Sequence, residues 1–254
     1  MGKMKDVKVS IVTVSFNAEK TIEETIKSVA KQTYKNIEYL IIDGASKDNT
    51  LKIVNKYKKY IDVIVSEKDK GLYDAMNKGA RKASGDLVYF LNADDVLKDK
   101  EVISDVAKAY EKGLDFIYGQ VEFFYPNTNT SRVISRDASI DGLKSGYMPP
   151  HQGTFASRKL LLANPFDTTY RSSADFDFFC RAIMGGAKSK KLNRVIATVQ
   201  IGGVSSGKVS YRETEQVVKK YFGYSAFLAL KLKHKIFYFG KKITEAAGLS
   251  IHKG

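Results

Sequence analysis

Two adjacent carboxylates, Asp94 and Asp95, follow an apolar run in "YFLNADDVL" at residues 89–97, with the amide Asn92 just before them. Neighbouring carboxylates repel one another, so the pair calls for a positive partner. A hard divalent cation takes oxygen ligands, offsets that repulsion and can hold a diphosphate in turn. Taken alone, an Asp-Asp pair after a strand is more often a cap or a turn. Here it is one of three polar clusters that each follow an apolar run: "SFN" at 15–17, "DGAS" at 43–46 and "NADD" at 92–95. Two further candidates lie downstream. His151 sits in "YMPPHQGTF", and an imidazole with an ordinary pKa of ~6.5 suits a base at neutral pH. Asp175 and Asp177 sit in "SSADFDFFCRA". The phenylalanines at 176, 178 and 179 would desolvate a nearby carboxylate and raise its pKa toward a useful value.

These side chains need a frame, and the apolar pattern supplies one. Val7 to Val14 reads as a buried strand. Ile22, Ile26 and Val29 then mark a helix, with Thr21 and Glu24 placed to form a capping box. Glu38 to Ile42 is a second strand, and Leu51, Val54 and Tyr57 mark a second helix. Asp62 to Val65 is a short third strand. Leu72 to Ala83 is helical, with Gly85 placed to end it, and Leu87 to Leu91 is a fourth strand. This alternation predicts an α/β fold: an open, mostly parallel sheet with helices on both faces. Ligands bind beyond the carboxyl ends of the strands in such sheets, which is where the polar clusters fall. After Asp99 comes a helix marked by Val102, Ile103, Val106 and Tyr110. "LDFIYGQVEFFY", a turn at Pro126-Asn127-Thr128-Asn129 and "SRVIS" then predict an antiparallel meander. The expected division is one domain over residues 1–207, whose second half, from about residue 99, is specialised for a different ligand. Residues 208–254 form a basic, aromatic-rich helical tail.

Composition narrows the partners. The 254-residue chain carries a net charge of +14, which favours an anionic ligand or surface. Ten Lys and Arg against three Glu give the tail +7, half of that excess. Val217, Tyr221, Tyr224 and Leu228 fit one helical face, with Lys219 and Lys220 elsewhere. Such a helix either packs on the domain or lies on anionic lipid. One cysteine, Cys180, rules out an internal disulfide, and with only three histidines (His151, His234 and His252) a structural zinc site is not expected. The polar start leads straight into a strand, and no apolar run approaches the ~18 residues of a spanning helix. Both features predict a cytoplasmic enzyme, with the tail able to hold it at the cytosolic face of the membrane.

The chain resembles the family 2 glycosyltransferases, which have the GT-A nucleotide-diphospho-sugar transferase fold. The matching stretches are "VSIVTVSFNAEKTIEETIKSVAKQTYKNIEYLIIDGASKDNT", "SEKDKGLYDAMNKGARKASGDLVYFLNADD", "PPHQGTF" and "SSADFDFFCRA". The resemblance implies roles residue by residue. Ser15, Phe16 and Asn17, with Glu19 nearby, lie against the nucleoside, and Asp43 contacts its base or ribose. Asp69, Lys70 and Asn77 border the nucleotide. The family's D-x-D metal motif reads Asn92-Ala93-Asp94 here. Asp94 keeps the cation-binding role, for Mn2+ or Mg2+, and Asn92 can hydrogen-bond a ribose hydroxyl or a metal-bound water. Asp95 stands behind Asp94 or caps the next helix. Asp175 aligns with the family's catalytic base, Ala174 replaces its acidic partner, and Asp177 is the fallback. His151 and Gln152 fall in the acceptor region, and Arg181 can pair with a carboxylate.

The implied activity is inverting transfer of a sugar from a nucleotide diphosphate, of the uridine type, to a hydroxyl of a cell-surface glycan or glycolipid precursor. Two other classes compete. A nucleotidyltransferase on a related sheet needs a glycine- and basic-rich loop after its first strand, and "SFNAEKTIEE" lacks it. No G-x-x-x-x-G-K-[ST] or G-x-G-x-x-G cradle occurs either. A non-enzymatic module could bind nucleic acid through the basic tail, but no nucleic-acid fold signature accompanies it. The expected partners are therefore donor, acceptor and anionic membrane, without nucleic acid.

Overall fold

The computed structural model describes residues 7–126, 128–200 and 208–246, without the side chains of residues 208 and 238–246. Asn127 of the expected turn, the boundary at residue 207, His252 and the last eight residues of the tail lie outside the described residues.

The first half alternates as its apolar pattern requires. Strands β1 (Val9–Ser15), β2 (Ile37–Asp43), β3 (Val63–Ser66) and β4 (Leu87–Phe90) are separated by helices α1 (Ile22–Ala30), α2 (Thr50–Lys56) and α3 (Leu72–Lys82). Their order is β3-β2-β1-β4, all parallel. Strand order therefore reverses around β1, and β1 and β4 open a crevice at their carboxyl ends.

The sheet continues through the second half. After β5 (Asp95–Leu97) and α4 (Val102–Ala109) come β6 (Phe116–Tyr125) and β7 (Thr130–Ile134). Next are α5 (Ile140–Lys144), β8 (Thr154–Ser157), α6 (Arg158–Ala163), α7 (Ala174–Met184) and β9 (Ser189–Gln200). The order runs on as β4-β8-β6-β9-β5, with β7 pairing β6. Six of the nine strands point the same way, and β5, β7 and β8 oppose them. The expected meander is corrected here. The β6–β7 hairpin is antiparallel, but β9 returns parallel to β6 after a helical crossover.

Alternation along each strand fills a layer on either face. Val9, Ile11, Tyr39, Ile41, Leu87 and Tyr89 pack with α1, α2 and α4. Val12, Val14, Leu40, Ile42, Val88 and Phe90 pack with α3, α7 and α8 (Lys208–Ala246). The period of two in the strands thus sorts the helices onto both faces.

Local details depart from the sequence reading. The Thr21 hydroxyl does not cap α1; it donates to the Ala18 carbonyl at 3.5 Å, and Glu24 instead meets Lys27 at 2.8 Å. Gly85 lies beyond the end of α3, where a Cβ would come within 2.7 Å of the Lys8 carbonyl and the Ser10 amide. Its smallness lets the chain pass β1 closely rather than ending a helix. Helix α8 bends at Gly223, whose φ of 84° and ψ of −177° suit glycine alone. The bend splits the expected apolar face. Val217 and Val218 are buried before it and Leu230 after it, whereas Tyr224 and Leu228 face solvent.

Candidate active site

A cleft of about 1420 Å³ opens beyond the carboxyl ends of β1 and β4. Phe16, Asn17 and Glu19 line it from the first loop, Asn92, Asp94 and Asp95 from the fourth strand, and His151, Gln152 and Asp175 from the second half. The tertiary structure therefore gathers residues from four separate stretches of sequence.

The loops after β1 and β2 are laced together. The Asn17 amide N–H donates to the Ser46 hydroxyl at 2.9 Å, and the Lys47 amide donates to Asn17 Oδ1 at 2.8 Å. Glu19 Oε2 accepts from the backbone and side chain of Asn49, both at 2.9 Å. Asn17 and Ala45 both have positive φ, at 50° and 61°. Asn tolerates that conformation, and Ala does so at a cost, which the lacing opposes. The result is a fixed platform on which Phe16 stands 64% exposed. An aromatic face presented this way suits stacking against a planar base.

Asp43 differs from its expected place. It is fully buried and accepts from the Ser15, Ser46 and Ser66 hydroxyls and the Ser46 amide. With its lone pairs so occupied, it fixes the platform from below rather than facing the cleft. Asn77 also departs from expectation. Both ends of its amide are engaged by the Phe166 backbone, at 2.8 and 2.9 Å, so it ties α3 to the chain after α6. Asp69 accepts from the Gly71 amide at 2.9 Å and lies against Gly44. Lys70 is exposed, and neither residue lines the cleft.

At the fourth strand the two acids differ sharply. Asp94 is exposed to the cleft, while Asp95 is buried as the first residue of β5. Asp95 thus begins a strand and does not cap a helix. Its Oδ2 accepts from the Asn92 amide at 3.1 Å, and its Oδ1 is buried without a partner among the described residues. Burial raises the Asp95 carboxyl well above the usual range, and the Asp94 charge adds to this. Desolvation also raises Asp94. Both shifts come chiefly from taking a carboxylate out of water. An orphaned carboxylate oxygen behind an exposed carboxylate fits a hard cation. Among the described residues no larger group of His, Cys, Asp or Glu could hold one, so such a cation would keep waters or borrow ligand oxygens. Asn92, which replaces an acid, braces Asp95 instead of adding a third charge.

Asp175 lies in the first turn of α7, after the N-cap residue Ser173. Its Oδ1 accepts from the Tyr73 hydroxyl at 3.0 Å and the Phe176 amide at 2.9 Å. Burial raises its carboxyl above the ordinary range, and His151 and Tyr73 act against that rise. His151 packs its ring near Phe90 and Phe166, at 5.9 and 6.1 Å between centroids. Burial pulls its pKa down, opposed by the Asp175 charge. Ala174 is fully buried in the apolar layer, where a second acid would be desolvated. Asp177 is only 1% exposed and is consumed by structure. It accepts from Arg181 Nε and Lys220 Nζ, both at 2.9 Å, and from the Tyr221 hydroxyl at 3.0 Å. The fallback base is therefore corrected to an anchor for α8, and Arg181 pairs with a carboxylate as expected.

Sequence reading missed several cleft residues. Tyr73 was hidden in an ordinary amphipathic helix, although its neighbours Met76 and Ala80 on the buried face point to the same side. Tyr211, Thr214, Lys233 and His234 come from α8, so the tail forms part of the cleft wall. No local signal links them to residues some sixty positions earlier.

Residues 10–179, well over half of the chain, match the family described as "Glycosyl transferase family 2". The chain belongs to glycosyl transferase family 2. This glycosyltransferase is 30% identical over 205 residues to a "PGL/p-HBAD biosynthesis glycosyltransferase" of Mycobacterium tuberculosis, covering 78% of each chain. Among solved structures it is similar to S. aureus TarS in complex with UDP-GlcNAc, with a TM-score of 0.67, 19% identity and 83% of this chain covered. The match spans 64% of that TarS chain, less than two thirds of its length. Glucosyl-3-phosphoglycerate synthase from Mycobacterium tuberculosis, in complex with Mn2+, UDP and glucosyl-3-phosphoglycerate, gives a TM-score of 0.62 at 17% identity. That match covers 85% of this chain and 80% of the other. At these identities the structural likeness establishes the GT-A fold of this glycosyltransferase. None of its described helices is long and apolar enough to cross a membrane.

Proposed function

We propose that this glycosyltransferase moves a sugar from a uridine-diphosphate donor to a hydroxyl of a glycan or glycolipid precursor, with inversion at the anomeric carbon. The observation that carries the reading is the sharing of one cleft by Asp94 and a half-buried, hydrogen-bonded Asp175. The names of the structural neighbours, which include UDP-GlcNAc and UDP with Mn2+, support a donor of this type.

In this scheme Phe16 stacks on the base, and Asn17 and Glu19 fix its loop. Asp43 and Ser15 support that platform from within the sheet, and Asp69 and Lys70 border it. Asp94 would hold a divalent cation, Mn2+ or Mg2+, with Asp95 and Asn92 behind it. When bound, that ion neutralises charge on the departing diphosphate. His151 and Gln152 bind the acceptor. Asp175 accepts the proton of the acceptor hydroxyl as its oxygen bonds to the anomeric carbon. The bond from that carbon to the diphosphate breaks, and its electron pair leaves with the diphosphate. A single displacement of this kind inverts the centre. Holding both substrates in one cleft supplies much of the acceleration.

The tail places the enzyme. Tyr224, Leu228, Leu232 and Ile236 recur every four residues along α8, and are 60%, 47%, 60% and 65% exposed. Lys231 and Lys235 are exposed beside them. An apolar row flanked by lysines fits the interface of an anionic membrane, here the cytosolic face where lipid-linked acceptors sit.

A thermal-shift screen of nucleoside diphosphates tests the scheme. UDP should stabilise the protein, and more strongly with Mn2+. A lack of response to every nucleoside diphosphate would overturn the reading.

A further inference from the structure

Another part of the cleft wall carries positive charge that the scheme above leaves unused. Arg136, from the chain after β7, and Lys233, beyond the bend in α8, both line the cleft. Their charged groups converge on one ring. Arg136 Cζ lies 4.6 Å and Lys233 Nζ 4.0 Å from the Tyr147 ring centroid. Lys233 Nζ also donates to the Ser145 carbonyl at 3.3 Å. Among the described residues neither cation pairs with a carboxylate. The nearby acids are engaged elsewhere: Asp137 with Lys191, Glu215 with His234, and Glu213 with the Arg171 and Ser172 amides.

Packing enforces this convergence. Gly146, at φ +76°, leaves room for Leu230; a Cβ there would stand 2.9 Å from Leu230 Cδ1. Leu230 is buried, and Lys233 follows three positions later on the same side of the helix. The fold therefore holds two cations beside one phenol. Burial pushes the Arg136 guanidinium below its ordinary value, and Arg132 adds to this against Tyr147. Lys233 in turn pulls the Tyr147 phenol down. An anion held between the two cations would offset the desolvation of Arg136.

We propose that Arg136, Lys233 and Tyr147 form a subsite for a lipid-borne phosphate, carried by the lipid-linked acceptor or by a phospholipid headgroup. The proposal rests on the glycosyltransferase scheme above and extends it to the chemistry of the acceptor. The guanidinium fork, the ammonium and the phenol hydroxyl supply donors that match phosphate oxygens. A neutral sugar hydroxyl would leave the partly buried Arg136 guanidinium and its Lys233 neighbour without an anion to neutralise them. Tyr147 and His151 are four residues apart, so their Cα atoms lie at most about 14 Å from each other. An acceptor sugar held at His151 can thus carry its phosphate to Tyr147. The phosphate could belong to the acceptor itself or to a phospholipid headgroup.

The test uses the intact protein saturated with UDP and Mn2+, so that the donor site is filled, and reads binding calorimetrically. The probes are octyl diphosphate, monomeric dihexanoyl phosphatidylglycerol, and octyl glucoside as the uncharged control. The wild type should bind a phosphate probe, and Arg136→Gln/Lys233→Gln should weaken that binding about tenfold or more. The charge-preserving pair Arg136→Lys/Lys233→Arg should keep most of it. Preference for octyl diphosphate assigns the subsite to the acceptor's own phosphate, and preference for phosphatidylglycerol assigns it to a headgroup. Equal affinity of wild type and the Gln pair for both probes would overturn the subsite, as would equal binding of octyl glucoside. UDP affinity is measured in a separate titration of the protein without nucleotide. Its absence would strike the donor scheme, while the comparison of variants would still judge the subsite.

Discussion

Tyr73 on α3 donates its hydroxyl hydrogen to Asp175 on α7 at 3.0 Å, across 102 residues of sequence. Burial and the Asp175 charge raise the phenol far above its usual range, so it remains a donor throughout the working pH. The bond joins the donor half of the molecule to the proposed base and sets how readily that base holds a proton.

A pH dependence follows. Burial raises the Asp175 carboxyl, and only its deprotonated form can take a proton. Transfer should therefore fall as pH drops through that raised value, above the ordinary ~3.9 of aspartate. Tyr73→Phe removes a bond that favours the anion, so the inflection should move to higher pH. The loss in kcat should be about three- to tenfold at the acidic end and shrink at alkaline pH. Asp175→Asn should lower kcat by roughly 10²–10⁴ at every pH, with UDP binding retained. A flat profile for Tyr73→Phe would leave that residue a purely structural role.

The cation scheme is tested separately. Mn2+ with UDP should raise the melting temperature of the wild type beyond UDP alone. Asp94→Asn should lose that increment and keep its fold, because the side chain is exposed. Asp95→Asn removes a buried charge with an unpartnered oxygen, so the metal-free protein should be stabilised. A gain of ~1 kcal/mol would read as about 2–4 °C. Unchanged metal response in Asp94→Asn would remove Asp94 from the cation site.

Asp177 should behave as an anchor. Asp177→Ala leaves Arg181 and Lys220 without their shared anion and frees Tyr221. Urea unfolding should show a loss of about 2–4 kcal/mol, moderated because Lys220 is half exposed. The folded fraction should retain most of its turnover. Stability near wild type with abolished turnover would return Asp177 to the chemistry.

Membrane attachment is read by flotation with vesicles rich in phosphatidylglycerol. Leu232→Glu/Ile236→Glu should abolish flotation and leave UDP binding intact, since both side chains face solvent. Gly223→Ala should cost at least ~1–3 kcal/mol or redirect the second limb of α8, because its backbone conformation excludes a Cβ. Flotation unchanged by the double glutamate variant would sink the membrane role.

Much of this glycosyltransferase is determined by local sequence. The apolar runs at 9–15, 37–43 and 87–90 alternate between faces, and the intervening helices carry matching apolar stripes. Those periods fix a parallel sheet covered on both sides, and they place "SFN" and "NADD" at strand ends. Tertiary structure decided what periodicity does not encode. Asp175 and Asp177 share one helix, yet one faces the cleft with Tyr73 and the other is enclosed by Lys220 and Tyr221 of α8. Asn77 looked like a ligand until the Phe166 backbone engaged both ends of its amide. The tail read as an appendage, but Gly146 and Leu230 fit together and bring Lys233 into the cleft. Each of these outcomes depends on which distant element supplies a hydrogen-bond partner or excludes water. Sequence spacing reports the face a side chain occupies, and only packing decides what meets it there.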